Sequence, residues 1–470
     1  MKRTPRGAFS ARLGAGLALL ALPAILGAGR LHTLHTELKS SDPARDTVLA
    51  DPPVAIKLTY TTDVQLALSS VEVRSSGPGD AAAGKLGYPA DDRHDVLILP
   101  LNQPLANGTY TVSWATAGPD SHPISGTFDF TVAAPEQVAA GGARPPPAGN
   151  EAAELQAQGD GSGTRAGFDR SQVLYRIMLY AGIVAVLGAT VFRLLVLGPC
   201  ARAGESREVI GSASRNASTV VAGGLGFLLV TIPARLWDQA EAFFPDDVAG
   251  NVLTVATGTP WAVSWWLLVV GVLLAGSGLF VRSRNGVRPF GWKVIATGAL
   301  LLALVPVLSG HGWSDSPRAL SAAATWLHVV AAGGWMGGLA CVLLAGLPAL
   351  RRHGAESPAD APGIAGMVDA FSRVAQVAVA LLLVTGALKV WIHIGAVTDL
   401  WTTRWGRTLL IKDLLVAGVL ALGFYNWRVV RPALAGDPHP QRLQRPAVFE
   451  LLIGVAVVGV TAFLVGQPLD

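Results

Sequence analysis

The sequence predicts a multi-domain membrane protein in which a small all-β domain precedes an all-α polytopic bundle of eight transmembrane helices. Hydrophobic residues make up 51% of the 470 residues and charged residues only 14%, a composition typical of polytopic membrane proteins. Short segments of alternating apolar and polar residues lie between residues 30 and 134. Apolar runs of about twenty residues, the length that spans a bilayer, follow after residue 169.

Residues 1–29 have the layout of a secretory signal peptide. Basic residues at positions 2, 3, 6 and 12 precede an apolar run from Leu13 to Ala28, and this order directs export. Gly27 and Ala28 are small enough for cleavage, although the site does not match the usual pattern well. An uncleaved signal anchor therefore stays open as the alternative, and in either case we expect the following domain to be exported.

Residues 30–134 are predicted to form an extracytoplasmic β-sandwich of the immunoglobulin-like or cupredoxin-like kind. Turn-forming Pro, Gly, Asn and Asp residues separate five alternating segments, which are VAIKLTY, SSVEVRS, DVLILPL, GTYTVSWAT and GTFDFTV. Residues 135–168 are rich in Ala, Pro and Gly and contain too few apolar residues to pack. We expect this linker to act as a tether between the two domains.

Residues 169–470 are predicted to form the helix bundle. The apolar runs lie at about 173–197, 217–236, 261–281, 291–309, 319–349, 370–394, 407–430 and 447–466. Arginine and lysine concentrate in four alternate connections, near 198–216, 282–293, 350–369 and 428–446. Because connections rich in basic residues stay in the cytoplasm, this pattern places the β domain outside, as the signal peptide also does. The net charge of +4 follows from these connections and does not indicate a nucleic-acid surface.

One histidine inside the bundle, His328, is a candidate ligand. An ionisable residue within a membrane helix is costly and usually faces the protein interior, where it pairs or binds something. His328 lies about nine residues into the fifth helix, roughly 13 Å below the outer surface, while His311 and His393 lie at the outer ends of neighbouring helices. The three can form a descending path. The alternative is that His328 only hydrogen-bonds a neighbouring helix.

Four glycines follow His328 in the same helix. Gly333 with Gly337, and Gly334 with Gly338, form two interleaved pairs of small residues four positions apart. Such pairs allow a neighbouring helix to approach closely. Among the other charged residues in the apolar runs, we expect Asp413 to partner Lys389. Structural pairing is favoured over proton movement for Lys412 and Glu450.

The β domain contains a second candidate site in the segment GPDSHPISGTFDF. Asp120 and His122 are two residues apart, so both side chains leave the same face if the chain is extended. A carboxylate with imidazoles suits Cu(II) better than Cu(I), which prefers sulfur ligands, and neither Met nor Cys occurs between residues 30 and 159. A turn-capping Asp beside an incidental His is the alternative.

The segments HTELKSSDPARDTVLADPP, LTYTTDV, NGTYTVSWAT and GPDSHPISGTFDF resemble the CopC family of bacterial copper-binding proteins over about residues 35–134. The resemblance implies that an amino-terminal histidine, with its free amine, joins Asp120 and His122 on Cu(II). The matching histidine is His35, which becomes the amino terminus only if processing occurs after Leu34. Otherwise His32 offers a substitute imidazole. The chain also departs from the family where Thr62, with an acidic residue next to it, replaces an acidic residue of one strand.

The membrane part, from about Phe168 to Pro468, resembles the CopD copper-resistance family. The matching pieces occur in order, as the SGH turn at Ser309–His311, LHVVAAGGWMGGL, FSRVAQVAVALLLVTG, WGRTLLIKDLL and QRLQRPAVFELLIG. The two resemblances together imply a CopC/CopD fusion of the copper-uptake type in a bacterial plasma membrane. They imply copper and the lipid bilayer as partners, with a copper chaperone or cuproenzyme as a further partner and no nucleic acid.

We do not expect an enzyme, because the sequence contains no catalytic triad, phosphate loop or ATP-binding motif. Two other functions stay open. A haem-binding membrane redox protein is one, since paired intramembrane histidines also suit axial ligation. A non-transporting copper chaperone for the assembly of exported cuproenzymes is the other. The sequence does not decide the direction in which copper moves.

Overall fold

A computed structural model describes most of the two predicted domains. The described residues are 36–76, 84–90, 92–102, 104–119, 123–133, 170–245, 247–285, 289–309, 317–353, 363–394, 397–430, 432 and 440–465. The chain divides into two compact units, of which one comprises Leu34–Asp169 with Leu236–Val263 and the other comprises the remainder. The predicted signal peptide and linker lie outside the described residues.

The amino-terminal domain is a two-sheet β structure, as predicted. Its strands are β1 (Leu38–Asp42), β2 (Val48–Leu49), β3 (Ala55–Tyr60), β4 (Ser70–Ser75), β5 (Val96–Pro100), β6 (Gly108–Ala117) and β7 (Pro123–Val132). One sheet has the order β1-β3-β5 and the other the order β2-β7-β6-β4. All pairs are antiparallel except the parallel pair of β2 with β7.

Alternation along the strands builds the core of this domain. In β3, Ile56 and Leu58 are fully buried, whereas Lys57 between them is exposed, as the two-residue period of a strand requires. In the long hairpin of β6 and β7, Tyr110 pairs with Phe130, and their stacked rings lie 5.5 Å apart. This cross-strand aromatic pair fixes the register of the hairpin and therefore positions its ends.

The carboxy-terminal part is helical. Its main helices are the short α3 (Val248–Gly258) and eight long helices, whose membrane-length ranges are α1 (Gln172–Arg202), α2 (Arg207–Phe243), α4 (Trp261–Ser283), α5 (Phe290–Leu308), α6 (Arg318–His353), α7 (Gly363–Ile392), α8 (Arg404–Val430) and α9 (Gln444–Leu464). All except the short α3 are long and apolar enough to cross a membrane, which gives eight such helices among the described residues. The prediction of eight spanning helices is confirmed.

The predicted close approach at the glycines of α6 is also confirmed. A methyl group on Gly337 would collide with the carbonyl oxygen of Val184 in α1, and one on Gly188 would collide with the backbone of Gly337. Gly333 likewise faces Leu187 of α1. Helices α1 and α6 therefore cross with their backbones in contact, a geometry that larger side chains would prevent.

Several of the long helices contain wider, π-helical turns. The described turns of this kind are Phe192–Val196 in α1, Gly333–Gly337 and Val342–Gly346 in α6, and Asn426–Val430 in α8. A π turn inserts one residue and shifts the faces of the helix on either side of it. The side chain of Asn216 donates to the carbonyl oxygen of Ala345 at 3.1 Å in one of these turns, so α2 satisfies part of the disturbed backbone there.

Candidate functional site

The two chain segments that lead to the predicted ligands of the β domain meet at one loop. The hydroxyls of Thr36, which follows His35 in sequence, and Thr62 lie 2.6 Å apart. Gln65, three residues after Thr62, donates its side-chain nitrogen to the carbonyl oxygen of Gly118 at 2.5 Å. Since three residues span at most about 11 Å, Thr36 and Gly118 lie at the same end of the sandwich.

The predicted β-domain ligands themselves lie outside the described residues. These are His32, His35, Asp120 and His122. Strands β6 and β7 pair through Ala117 and Pro123, and both Asp120 and His122 stand between these residues in sequence. The ligand set of the resemblance therefore remains a prediction, although the described chain approaches it from both sides at one end of the domain.

A further histidine, His94, lies at the same loop and does not appear among the predicted ligands. Its carbonyl oxygen accepts from the backbone nitrogen of Val64 at 2.9 Å, and its exposed ring lies 4.7 Å from the ring of Tyr88. Next to it, Arg93 donates twice to Asp95, at 2.9 and 3.3 Å. This guanidinium holds the pKa of the Asp95 carboxyl below its usual range. No recognisable spacing in the sequence marks His94.

In the bundle, the structure shows a defined arrangement around His328. Its Nδ1 lies 2.8 Å from the hydroxyl oxygen of Thr385 in α7. That hydroxyl lies 2.6 Å from the carbonyl oxygen of Leu381 and donates its only hydrogen there. With its hydrogen on that carbonyl, the hydroxyl accepts from His328, and the proton of the neutral imidazole then lies on Nδ1. The lone pair of Nε2 then points away from the Nδ1 hydrogen bond and can bind a ligand. Metal-binding histidines are commonly held by a second residue in this way.

A second polar contact lies next to the first between the same two helices. The ammonium of Lys389 in α7 donates to the hydroxyl of Thr325 in α6 at 3.0 Å. Thr325 precedes His328 by three residues, and Lys389 follows Thr385 by four, so the two contacts are neighbours on facing helix surfaces. The charges of Lys389 and Lys412 both act on His328. These two positive charges disfavour a stable cation site at Nε2 and suit a transient one.

The structure also brings together a polar cluster around Glu450, for which the sequence predicted structural pairing without naming the partners. The carboxylate of Glu450 in α9 accepts from Nε1 of Trp335 at 3.2 Å and from Nδ2 of Asn426 at 2.8 Å. Both donors lie in π-helical turns, Gly333–Gly337 and Asn426–Val430. The indole of Trp335 thus holds the carboxylate from α6.

The remaining predicted ligands of the bundle are not brought together in the described residues. His311 lies outside them, and His393 ends a helix whose backbone is described without its side chain. No group of three or more His, Cys, Asp or Glu with metal-binding geometry occurs among the residues that the structure describes. His328 is thus the predicted bundle ligand whose surroundings are defined.

Comparison with known proteins identifies the two domains. The CopC domain model matches residues 38–133, and the model of copper resistance protein D matches residues 365–464. The second match includes Thr385, Asn426 and Glu450 but begins after His328.

Two relatives extend the match. The copper transport protein CutJ of Bacillus subtilis (strain 168) is 24% identical over 441 residues, covering 92% of this chain and 74% of that protein. Copper resistance protein C of Escherichia coli is 31% identical over 115 residues, covering 23% of this chain and 89% of that protein.

Two solved structures match the β domain. CopC from Methylosinus trichosporium OB3b is 26% identical, and the match covers 22% of this chain and 96% of that chain with a TM-score of 0.20. PcoC from Escherichia coli, described as a methionine-rich copper resistance protein, is 32% identical over 21% of this chain and 99% of that chain, with a TM-score of 0.19. The β domain here contains no methionine.

Both halves of the chain thus match copper resistance proteins, and one relative aligns with nearly the whole of it. The protein joins a CopC domain to a CopD membrane region in one chain and belongs to the CopC/CopD family of copper resistance and transport proteins.

Proposed function

We propose that the β domain captures Cu(II) outside the cell and passes it to the helix bundle for import. Capture uses His35, Asp120 and His122, with His32 as the substitute imidazole if the chain is not cut after Leu34. The observation that carries the proposal is the arrangement at His328. An intramembrane imidazole is held by Thr385 with Nε2 open, in a chain of a copper-handling family.

The donor types in the β domain favour the divalent ion. Imidazole and carboxylate groups suit Cu(II), while Cu(I) prefers thiolates and thioethers. The domain has no methionine or cysteine. Two of its neighbouring contacts, Thr36 with Thr62 and Gln65 with Gly118, support a shared site, because they hold the flanks of the predicted ligands at one end of the sandwich.

The bundle receives the ion on its extracytoplasmic side. The distribution of basic residues supports cytoplasmic connections near 198–216, 282–293, 350–369 and 428–446. His311 and His393 then stand at the outer ends of their helices, above His328. The linker at residues 135–168 keeps the loaded domain near these histidines at an effective concentration of about 1 mM. A weak docking contact is sufficient at that concentration.

Cellular copper tests the direction of transport. A strain that lacks the protein should accumulate less copper than the wild type when copper is scarce, and its growth under copper limitation should be impaired. Unchanged accumulation would reject import. Vesicles that bind copper without passing it would instead indicate a chaperone, and a Soret band of the purified protein would indicate haem.

The capture site is tested by replacing Asp120 and His122 with alanine in the full-length chain. We expect high-affinity Cu(II) binding to fall by at least about 100-fold, since two of the ligands are lost. A titration of the purified protein with Cu(II) measures this. Replacing the exposed His94 with alanine is the matched control and should change the affinity by less than about threefold. An unchanged affinity in the double variant would place the Cu(II) site elsewhere.

The bond between His328 and Thr385 predicts a separate effect. Replacing Thr385 with valine removes the acceptor for Nδ1–H, so the proton is free to move to Nε2 and block it. His328→Ala should abolish the binding of one copper ion. We expect Thr385→Val to weaken the binding of that ion about 10-fold, as the loss of a residue that orients a metal ligand does. A copper competition titration of the full-length protein measures this affinity.

The control for this change is Thr190→Val. Thr190 is equally enclosed in α1, and its hydroxyl donates to the carbonyl oxygen of Val186 in its own helix at 2.8 Å. This variant should bind copper as the wild type does. If Thr385→Val also binds copper normally, the threonine does not orient the imidazole.

A further inference from the structure

The carboxyl group of Glu450 is buried in a helix that spans the membrane. Glu450 is 6% exposed and lies ten residues after Pro440, at which its helix begins. The ion pairs of the described residues do not include it. A carboxylate at such a position is costly unless hydrogen bonds, a proton or a cation compensate its charge, and intramembrane carboxyl groups line ion and proton paths in membrane proteins.

The hydrogen bonds around Glu450 leave one amide oxygen, that of Asn426, without a donor. Trp335 and Asn426 each donate once to the carboxylate, but Oδ1 of Asn426 is buried and accepts no hydrogen bond. This oxygen belongs to the same amide whose nitrogen lies 2.8 Å from Oε2 of Glu450. Rotation of the amide would exchange its two ends and bring Oδ1 to Oε2. The two oxygens could then face each other only with a proton or a metal cation between them.

The cluster lies further from the start of α6 than His328 does. Helix α6 begins at Arg318, and His328 lies ten residues further on, about 15 Å along the helix axis. Successive spanning helices alternate in direction, so α9 begins on the opposite side from α6. Glu450 lies ten residues into its helix and is therefore about 15 Å from that opposite end. Trp335 connects the two positions, because it follows His328 by seven residues in α6 and donates to Glu450.

A thioether lies beside the same face of α9. The side chain of Met336 packs on Gly454. A Cβ atom added to this glycine would lie 3.5 Å from Sδ of Met336. Gly454 follows Glu450 by four residues, so the two positions are one turn apart on one helix face. Oxygen and sulfur donors therefore border one buried region, whereas the surroundings of His328 carry the positive charges of Lys389 and Lys412.

We propose that Glu450 and Asn426 form a second copper-binding site, to which the ion passes from His328 on its way through the bundle. The carboxylate supplies the charge that the region of His328 lacks, and the amide oxygen completes the pair of oxygen donors. Trp335 holds the other carboxylate oxygen in place. This inference rests on the proposed function, because it takes copper as the cation that moves through the bundle.

Copper counting on the full-length protein tests the site without requiring transport. Glu450→Gln keeps the acceptor for Trp335 and gains an N–H that can donate to Oδ1 of Asn426, so the fold should be preserved. We expect the purified variant to bind one copper ion fewer than the wild type, with an unchanged thermal unfolding midpoint. The titration uses copper alone, supplied separately as Cu(II) and, under anaerobic reducing conditions, as Cu(I).

The chain offers a matched control in another buried glutamate. Glu205 is 7% exposed and accepts from the backbone nitrogens of Ser206 and Gly363 at 3.3 and 3.0 Å. Glu205→Gln should bind as much copper as the wild type. A second variant, Asn426→Leu, removes the amide oxygen while Glu450 remains. It should lower the affinity for the same copper ion by at least 10-fold.

Reconstituted vesicles then separate this inference from the proposed function. Glu450→Gln should slow the passage of copper at least 10-fold while copper still binds at His328. An unchanged copper count in Glu450→Gln overturns the second site, and slower passage with an unchanged count shows that Glu450 carries protons only. If wild-type vesicles pass no copper, the proposed function fails, but the copper count still decides the inference.

Discussion

Replacing His328 with alanine is expected to stop the passage of copper through the bundle while Cu(II) binding by the β domain continues. The change removes the imidazole whose Nε2 is open and leaves the hydroxyl of Thr385 bonded to its own helix. The loss of rate should exceed the roughly 10- to 100-fold that removal of a supporting residue costs. Copper passage into vesicles that contain the full-length variant measures the effect.

The control for this prediction is a histidine near the far end of the same helix. His353 closes α6, and its Nδ1 lies 3.8 Å from a carboxylate oxygen of Glu208. His353→Ala should pass copper as the wild type does. The assignment of His328 is wrong if its alanine variant still passes copper at the wild-type rate, whereas loss of Cu(II) binding by the β domain as well would indicate misfolding.

The architecture was predictable because the apolar residues that become buried recur in regular patterns along the sequence. Apolar runs of membrane length predicted all eight spanning helices, and two-residue alternation predicted β3 to β7. Strands β1 and β2 were not predicted. The segment LKSSD of β1 is mostly polar and pairs with β3 alone. Strand β2 has only two residues, which are held parallel to β7, and such a short pairing has no detectable period.

The polar contacts inside the bundle were much less predictable. His328 was recognisable because an ionisable residue in an apolar run is rare, but its partner Thr385 is 57 residues away. The cluster at Glu450 joins residues 24 and 115 positions apart. Both donors lie in π turns, which shift a helix face relative to the regular 3.6-residue period. A prediction that assumes regular helices therefore places Trp335 on the face of His328, whereas its indole contacts α9.

The contact of Lys389 with Thr325 shows the same difficulty. Asp413 was expected as the partner because it carries the opposite charge, and the structure adds Thr325 on the neighbouring helix, to which Lys389 donates. A neutral hydroxyl is a weak signal in sequence because threonine also packs well inside helices. Helix pairing decides such contacts, and pairing depends on where the backbones approach each other most closely.

The crossing of α1 and α6 is such a place, and Gly337→Leu is expected to disrupt the bundle. A side chain at Gly337 meets the carbonyl oxygen of Val184 and the backbone of Gly188, neither of which can move without separating the helices. Even small-to-large changes in a packed core cost about 1–3 kcal/mol. A leucine against backbone atoms should exceed that range, so we expect little folded protein in detergent.

The milder change Gly337→Ala gives a measurable version of the same prediction. The added methyl group still meets backbone atoms, so the free energy of unfolding should fall by about 1–3 kcal/mol, as measured by thermal unfolding of the purified protein. Gly459→Ala in α9 is the control, because no atom lies within 4 Å of the position that its methyl group would occupy. That substitution should be neutral or slightly stabilising, since alanine favours helix more than glycine does.

If Gly337→Ala is as stable as the wild type, then α1 and α6 do not depend on backbone contact at this point. If it is destabilised as expected, it should also impair copper passage, because the π turn Gly333–Gly337 carries Trp335 and hence the hydrogen bond to Glu450. Separation of α1 from α6 would move this turn. One substitution would then disturb both the helix packing and the polar cluster around Glu450. Gly459→Ala should disturb neither.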